Sequence, residues 1–471
     1  MESNPPNILF LFADQYRPDW LGTNPDVPVR TPNIAELAER GTQFTNAVCP
    51  SPVCNPSRAC LASGYEYDRC GTPANNVDFP LSQTTLYERL RDEAGYHVMG
   101  CGKFDLTSDF PLGLSGDHGV HRWGFTDAIF NPALNNTVRR VRGDPNREPR
   151  DPYTAHLENE GLLETHVEDY ERRWGAGSWE TTFPTPLPDE AYYDNWITRN
   201  GLALLDDAPD DQPWYLEVDF QNPHHPWDIT EEMHGWYRDP DVTFPDPVDC
   251  DLPVSSKAHQ EIRRNYAAMV EHLDRCVGRV MERLDARGEL DNTLVVFSSD
   301  HGEMLGDHGQ WQKLSPLQMS VGVPLVCAGP CVANQDPVDD PATILDLHAT
   351  FLDVAGLNAG PVDSRSMVPV LTGNDSVPRD VVYSGLSSWR MVYDGTHKLI
   401  KGYDPDLRRG GTYEPMMSAP ENTRRRQAER DVILHDVPVS ETENIAAEHP
   451  ALVEELSTAM DKYMQRPNCA D

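Results

Sequence analysis

Short, mostly apolar runs alternate along this chain with longer stretches whose apolar residues recur at helical spacing. "NILFLFAD" (7–14), "YHVMGCGK" (96–103), "PWYLEVDF" (213–220) and "TLVVFSSD" (293–300) have strand length and read as strands buried on both faces. Between them, "TPNIAELAERG" predicts a helix that begins after Thr31 and stops at Gly41, and "TTLYERLRDEAG" predicts an amphipathic helix feeding the second strand. Residues 259–287 predict one long helix ahead of the fourth strand. This rhythm predicts an α/β fold built on a large mixed, mostly parallel sheet flanked by helices. After about residue 375 the rhythm fades. "RMVYDGTHKLIKGY" predicts a hairpin turning at Asp394-Gly395, followed by a polar, Arg-rich stretch (404–430), a short strand "VILHDV" and a closing helix near 446–464. The expected organisation is a larger α/β domain at 1–375 and a smaller α+β domain with an antiparallel sheet at 376–471. Residues 131–190, rich in Pro, Arg, Asp and Glu with little periodicity, are expected to form an irregular insertion.

Charge narrows the possible partners. The chain has 76 acidic against 39 basic residues, a formal charge of −37, and uses lysine only at 103, 257, 313, 398, 401 and 462. That balance excludes a nucleic-acid binder, and no apolar run is long enough to span a membrane. The acidic residues are spread along the chain, which fits a solvated surface suited to a halophilic setting, where a Debye length of about 3 Å in molar salt screens self-repulsion. The opening "MESNPP" runs straight into a strand without a basic or cleavable apolar segment, so cytoplasmic residence is expected. Ten cysteines occur without a C-x-x-C pair, so most are expected to be small buried hydrophobes.

Cys54 differs by its context. In "VCNPSRACLASG" (53–64), Pro56 suits a helix's first turn, placing Cys54 at the helix N-terminus and Arg58 one turn along on the same face. This is a place for an anion beside a nucleophile. The four strands also end in residues fit for chemistry: Asp14-Gln15, Lys103, His224 after "FQNP", and Asp300-His301. In open α/β sheets, ligands lie outside such carboxyl ends. Asp14, Gln15, Asp300 and His301 offer oxygens and an imidazole to a hard or borderline cation: Ca²⁺, Mg²⁺ or Mn²⁺. In "FSSDHGEMLGDHGQWQK", Gly302 relieves crowding, Lys313 closes the loop's far side, and Asp307 and His308 are expected to cap or orient the loop. The arginines of "VRRVRGDPNREPR" and "TRRRQAERD" are read as solvated ion pairs on an acidic surface.

At this point the motifs match a family. "CNPSRACLASG", with "PNILFLFAD", "GYHVMGCGKFDL", "NPHHPW" and "SSDHGEMLGDHGQWQK", resembles the formylglycine-dependent (type I) sulfatases of the alkaline phosphatase superfamily, in the family's order across residues 5–330. The hairpin "THKLI" extends the likeness further. The resemblance implies that a separate maturation enzyme oxidises Cys54 to formylglycine, whose hydrated aldehyde attacks sulfur. It implies one divalent metal, Ca²⁺ first with Mn²⁺ or Mg²⁺ as alternatives, held by Asp14, Gln15, residue 54, Asp300 and His301. Arg58 would steady the diol and ester oxygens, Lys103 and Lys313 the sulfate, and His224 (with His225 its neighbour) would protonate the leaving group. The implied substrate is a small-molecule or saccharide sulfate ester. Two departures open an alternative: Gln15 and Asp105 stand where the family often has aspartate and histidine. That alternative is a phosphonate monoester or phosphodiester hydrolase, for which Asn75 would be a substrate contact rather than a turn residue. A separate alternative, independent of those departures, is a silent binding protein with an unmodified Cys54.

Overall fold

The computed structural model describes residues 5–107, 113–117, 119–176, 181–250, 254–374, 379–404, 432–438 and 440–465. The expected boundary at 375–376, nearly all of the polar stretch 404–430 and the motif "TRRRQAERD" lie outside the described residues.

A seven-stranded sheet forms the centre. In chain order its strands are β1 (Asn7–Ala13), β2 (Gly41–Phe44), β4 (His97–Gly102), β5 (Asp127–Phe130), β6 (Trp214–Asp219), β7 (Thr293–Ser299) and β8 (Leu325–Ala328). β3 (Ala47–Val48) pairs separately, in parallel, with β9 (Ala342–Thr343). Spatial order is β2-β8-β7-β1-β6-β4-β5. The run from β7 to β5 is parallel, and β8 runs antiparallel to both β7 and β2. The sheet is therefore mixed and mostly parallel, as its apolar runs predict.

Period-two alternation between two buried faces explains why those runs are mostly apolar, with Glu217 and Asp219 of β6 among the buried polar exceptions. Ile8, Phe10 and Phe12 of β1 enter one core, while Leu9, Leu11 and Ala13 enter another on the opposite side. Helices α1 (Pro32–Glu39), α2 (Cys54–Ser63) and α3 (Leu86–Asp92) lie along the first third of the chain. A reciprocal Thr85–Glu88 capping box starts α3. The long helix Ser256–Ala286 contributes Tyr266, Val270, Leu273 and Val277 to the second core.

The segment 131–190 differs from the expectation of an irregular insertion. It carries helices at Leu134–Arg142, Pro152–Asn159 and Leu163–Gly175. Their apolar positions are few, but Leu134, Val138 and Val141, then Leu163, Val167 and Tyr170, fall at helical spacing and are buried in the second core. The helices are short and separated by links containing Pro and Gly, which breaks the period into pieces. Arg147 there pairs with Glu164 at 2.7 Å and Glu171 at 3.2 Å, and Arg142 with Glu171 at 3.1 Å, all half-exposed or exposed.

The C-terminal sheet is an antiparallel meander, β10 (Val382–Leu386), β11 (Trp389–Tyr393), β12 (His397–Lys401) and β13 (Ile433–Asp436). The β11–β12 turn falls at Asp394-Gly395, and a helix at Pro450–Met464 closes the chain. One face of this sheet (Val392, Leu399, Leu434) packs with the closing helix, and the other (Leu386, Trp389, Met391, Ile400) joins the first core of the main sheet.

Candidate active site

Parallel register brings the strand ends together. Ala13 pairs with Ser299 and Phe12 with Asp219, while Gly102 also pairs with Asp219. The residues that follow, Asp14-Gln15, Asp300-His301 and Lys103, therefore leave the sheet at one edge. The N-terminus of α2, where Cys54 is the first helical residue, faces this edge. Ser57 Oγ donates to the Asp300 carbonyl at 2.7 Å and Arg58 Nε to Asp300 Oδ2 at 3.0 Å, tying the helix's first turn to β7. Gly302 is needed for this fit: a Cβ there would lie 2.1 Å from the Met319 carbonyl oxygen.

Asp14, Cys54, Asp300 and His301 are all buried, with ligand atoms within 4.8 Å of one another. Cys54 Sγ lies 3.3 Å from His301 Nε2, 3.2 Å from Lys313 Nζ and 4.0 Å from Asp14 Oδ1. His301 Nδ1 donates to the Gly302 carbonyl at 3.0 Å, which leaves the lone pair on Nε2, the nitrogen facing the cluster. Gln15 is oriented just as firmly. Its Nε2 donates to Glu303 and approaches His225 Nδ1 at 3.2 Å, and its Oε1 accepts from Lys313 at 2.8 Å. Two carboxylates, an amide oxygen and an imidazole with its lone pair inward fit a divalent cation of the oxygen-seeking kind.

Charges balance within the cluster. Lys103 Nζ sits 2.5 Å from Asp14 and 2.8 Å from Asp105. Burial alone would raise the Asp14 pKa, but Lys103, His224, Lys313 and His301 outweigh it and hold this carboxyl well below the usual range. Burial, reinforced by Asp14, pushes the Cys54 thiol up to about 11 despite Lys103 and Lys313. Burial keeps His301 neutral, with a pKa of about 4. Arg58 is held from two sides, by Asp300 and by Asp219 Oδ1 at 2.8 Å, while its buried Nη2 has no hydrogen-bond partner.

His224 and His225 stack with ring centroids 4.3 Å apart at the end of the loop that follows β6. His224 Nδ1 donates to the His225 carbonyl at 2.5 Å, and burial with the Lys313 charge lowers its pKa strongly. Of the two, His225 is the one that touches Gln15. Asn75 binds the helix start rather than only shaping its own turn: its Oδ1 accepts from Asn55 N at 3.1 Å. Asp307 anchors its loop through Arg17, Arg263 and the Val248 N–H.

Two participants escaped the sequence reading. Asp219, the partner of Arg58, is the last residue of β6, level with Gly102 and so one step short of the point where Lys103 leaves its strand. Glu303 lies inside the quoted "SSDHGEM" but carries no role until Gln15 is seen to donate to it.

Residues 6–357 match the sulfatase family model, and the chain belongs to that family. It is 29% identical over 399 residues to a choline-sulfatase of Rhizobium meliloti, covering 79% of this chain and 73% of that protein. It is 26% identical over 428 residues to an arylsulfatase of Clostridium perfringens, covering 85% of each. The fold is shared with a phosphonate monoester hydrolase of Agrobacterium radiobacter, with a TM-score of 0.74, 21% identity, and coverage of 98% of this chain and 95% of the other.

Proposed function

We propose that this chain hydrolyses sulfate esters, with a formylglycine made from Cys54 by a separate maturation enzyme as nucleophile. One divalent cation, Ca²⁺ first and Mn²⁺ or Mg²⁺ as alternatives, would be held by Asp14, Gln15, residue 54, Asp300 and His301. The reading is carried by a single observation: Cys54 lies in one buried cluster with four ligand-capable groups and two lysines, in a chain of the sulfatase family. A thiol pushed up to about 11 stays protonated at neutral pH, which suits a precursor better than a nucleophile. The cation would supply charge neutralisation and acidify the hydroxyl of the hydrated aldehyde; the second hydroxyl gives sulfate a way to leave.

The other residues act on the substrate. Lys313 and Lys103 present ammonium groups to the sulfate oxygens, and the unpartnered Nη2 of Arg58 offers a third donor. Burial lets these contacts count for more than they would in water. His224 is neutral in the free site, with its Nδ1 proton committed to a carbonyl. An anionic ester bound beside it favours the imidazolium, which then hands its Nε2 proton to the departing alcohol oxygen, with Lys313 as the alternative donor. The choline-sulfatase and arylsulfatase relatives support a small alkyl or aryl sulfate as substrate; a saccharide sulfate is the other ester class.

Gln15, a neutral residue where aspartate is common, favours a second reading: phosphonate monoester or phosphodiester hydrolysis at the same site. Initial rates on an aryl sulfate and an aryl phosphonate, using protein co-produced with a maturation enzyme, separate the two. A sulfate preference is expected, and a phosphonate preference of several orders of magnitude would install the second reading. An unmodified Cys54 by peptide mass, with no turnover of either ester, would make the chain a binding protein.

A further inference from the structure

We infer that Trp389 and Tyr403, both from the C-terminal sheet region, are positioning residues that hold Lys313 against residue 54; the inference rests on Lys313 acting on the sulfate group. Lys313 reaches the cluster from a loop with an unfavourable backbone. Its neighbours Gln312 (φ 65°) and Leu314 (φ 83°) both adopt left-handed conformations that residues with side chains rarely take. Such a conformation persists only where the surroundings over-determine it.

Those surroundings come from two sides. From the main domain, Glu303 Oε1 accepts from Gln312 N at 2.6 Å, and the Pro52 carbonyl accepts from Leu314 N at 3.3 Å. From the C-terminal sheet, Trp389 Nε1 donates to the Leu314 carbonyl at 3.3 Å. The Tyr403 hydroxyl accepts from Gln310 Nε2 at 2.9 Å and pairs with Ser315 Oγ at 3.1 Å. These contacts fall on both flanks of Lys313. Leu314 itself is fully buried in the core that contains Trp389 and Tyr403.

The approach of Tyr403 is itself built in. Gly402, just past β12, has φ 78°, and a Cβ there would lie 2.3 Å from the Ser388 carbonyl oxygen. Only glycine lets the chain pass that close and set the tyrosine ring edge-on to Trp389, with centroids 6.4 Å apart. The C-terminal sheet thus acts in the reaction through the lysine loop.

A double-mutant cycle tests this. Tyr403→Phe and Trp389→Phe, each made in the native protein and in Lys313→Ala, are assayed for kcat and KM on an aryl sulfate, with melting temperatures measured alongside. Each single variant should lose kcat by roughly tenfold, the effect of about one hydrogen bond, and the loss should vanish once Lys313 is gone. Gln310→Met approaches the Tyr403 contact from the other side should Trp389→Phe melt early. Binding of inorganic sulfate, followed by calorimetry, gives the same comparison without turnover. Equal losses with and without Lys313, or no loss in the native background, would overturn the inference. A native protein that turns over no sulfate ester but whose sulfate affinity follows the cycle would instead defeat only the hydrolase reading.

Discussion

Replacing Lys103 by methionine probes the electrostatic balance of the site with little change in side-chain length. Lys103 is 1% exposed and serves two carboxylates, Asp14 at 2.5 Å and Asp105 at 2.8 Å. At an effective dielectric constant of about 20, each contact is worth about 6 kcal/mol of Coulomb attraction. Removing the ammonium also removes its own desolvation cost of several kcal/mol, so the net loss should be about 3–5 kcal/mol, the range found when one partner of a buried pair is deleted. The loss should depend on pH with a definite sign. Asp14 is held well below its ordinary pKa in the folded protein, so its contribution is full above pH about 4 and fades as pH falls through the folded value. Without Lys103 the Asp14 carboxyl binds a proton more readily, and the penalty seen at pH 7 should shrink at pH 5. A divalent cation that replaces the missing charge should shrink it too. Urea unfolding of both proteins at pH 7 and pH 5, with and without calcium, measures all of this. An unchanged midpoint at pH 7, or a penalty that ignores both pH and cation, would refute the charge-balance argument.

Further outcomes follow from the same geometry. Cys54→Ala should abolish ester hydrolysis while costing no more than about 2 kcal/mol of stability, read by paired activity and melting measurements; native-level turnover would remove residue 54 from the mechanism. Chelation should lower the melting temperature, and restoring a cation at about 100 times its dissociation constant should return about 2.7 kcal/mol, with Asp300→Asn abolishing the response. Gly302→Ala should destabilise the native fold and reduce activity together, because the added methyl meets backbone rather than a movable side chain. Asp219→Ala should lower kcat/KM by roughly 10–100-fold by releasing one side of Arg58, with Asp219→Asn, which keeps the acceptor, recovering most of it.

Apolar runs at strand spacing, one helix start and four polar strand ends were enough to define an α/β sheet and to nominate Asp14, Gln15, Cys54, Arg58, Lys103, His224, Asp300 and His301 at its carboxyl ends, while Lys313 joined them through the family resemblance. These are local signals: a strand buried on both faces is apolar at most positions, and a parallel sheet delivers its carboxyl ends to one side whatever the loops do. The helices within 131–190 were obscured because they are short, at 9, 8 and 13 residues, and are separated by links containing Pro and Gly, so no long periodic run marks them. Glu303, Asp219, Trp389 and Tyr403 were beyond local reading for a different reason. Their roles are hydrogen bonds to residues distant in sequence, such as Gln15 to Glu303 and Ser315 to Tyr403, and no periodicity encodes a partner hundreds or even scores of positions away. Local patterning thus settles which chemical groups reach the sheet edge. Only long-range packing decides which way each group points once there, because orientation is set by the last hydrogen bond it makes.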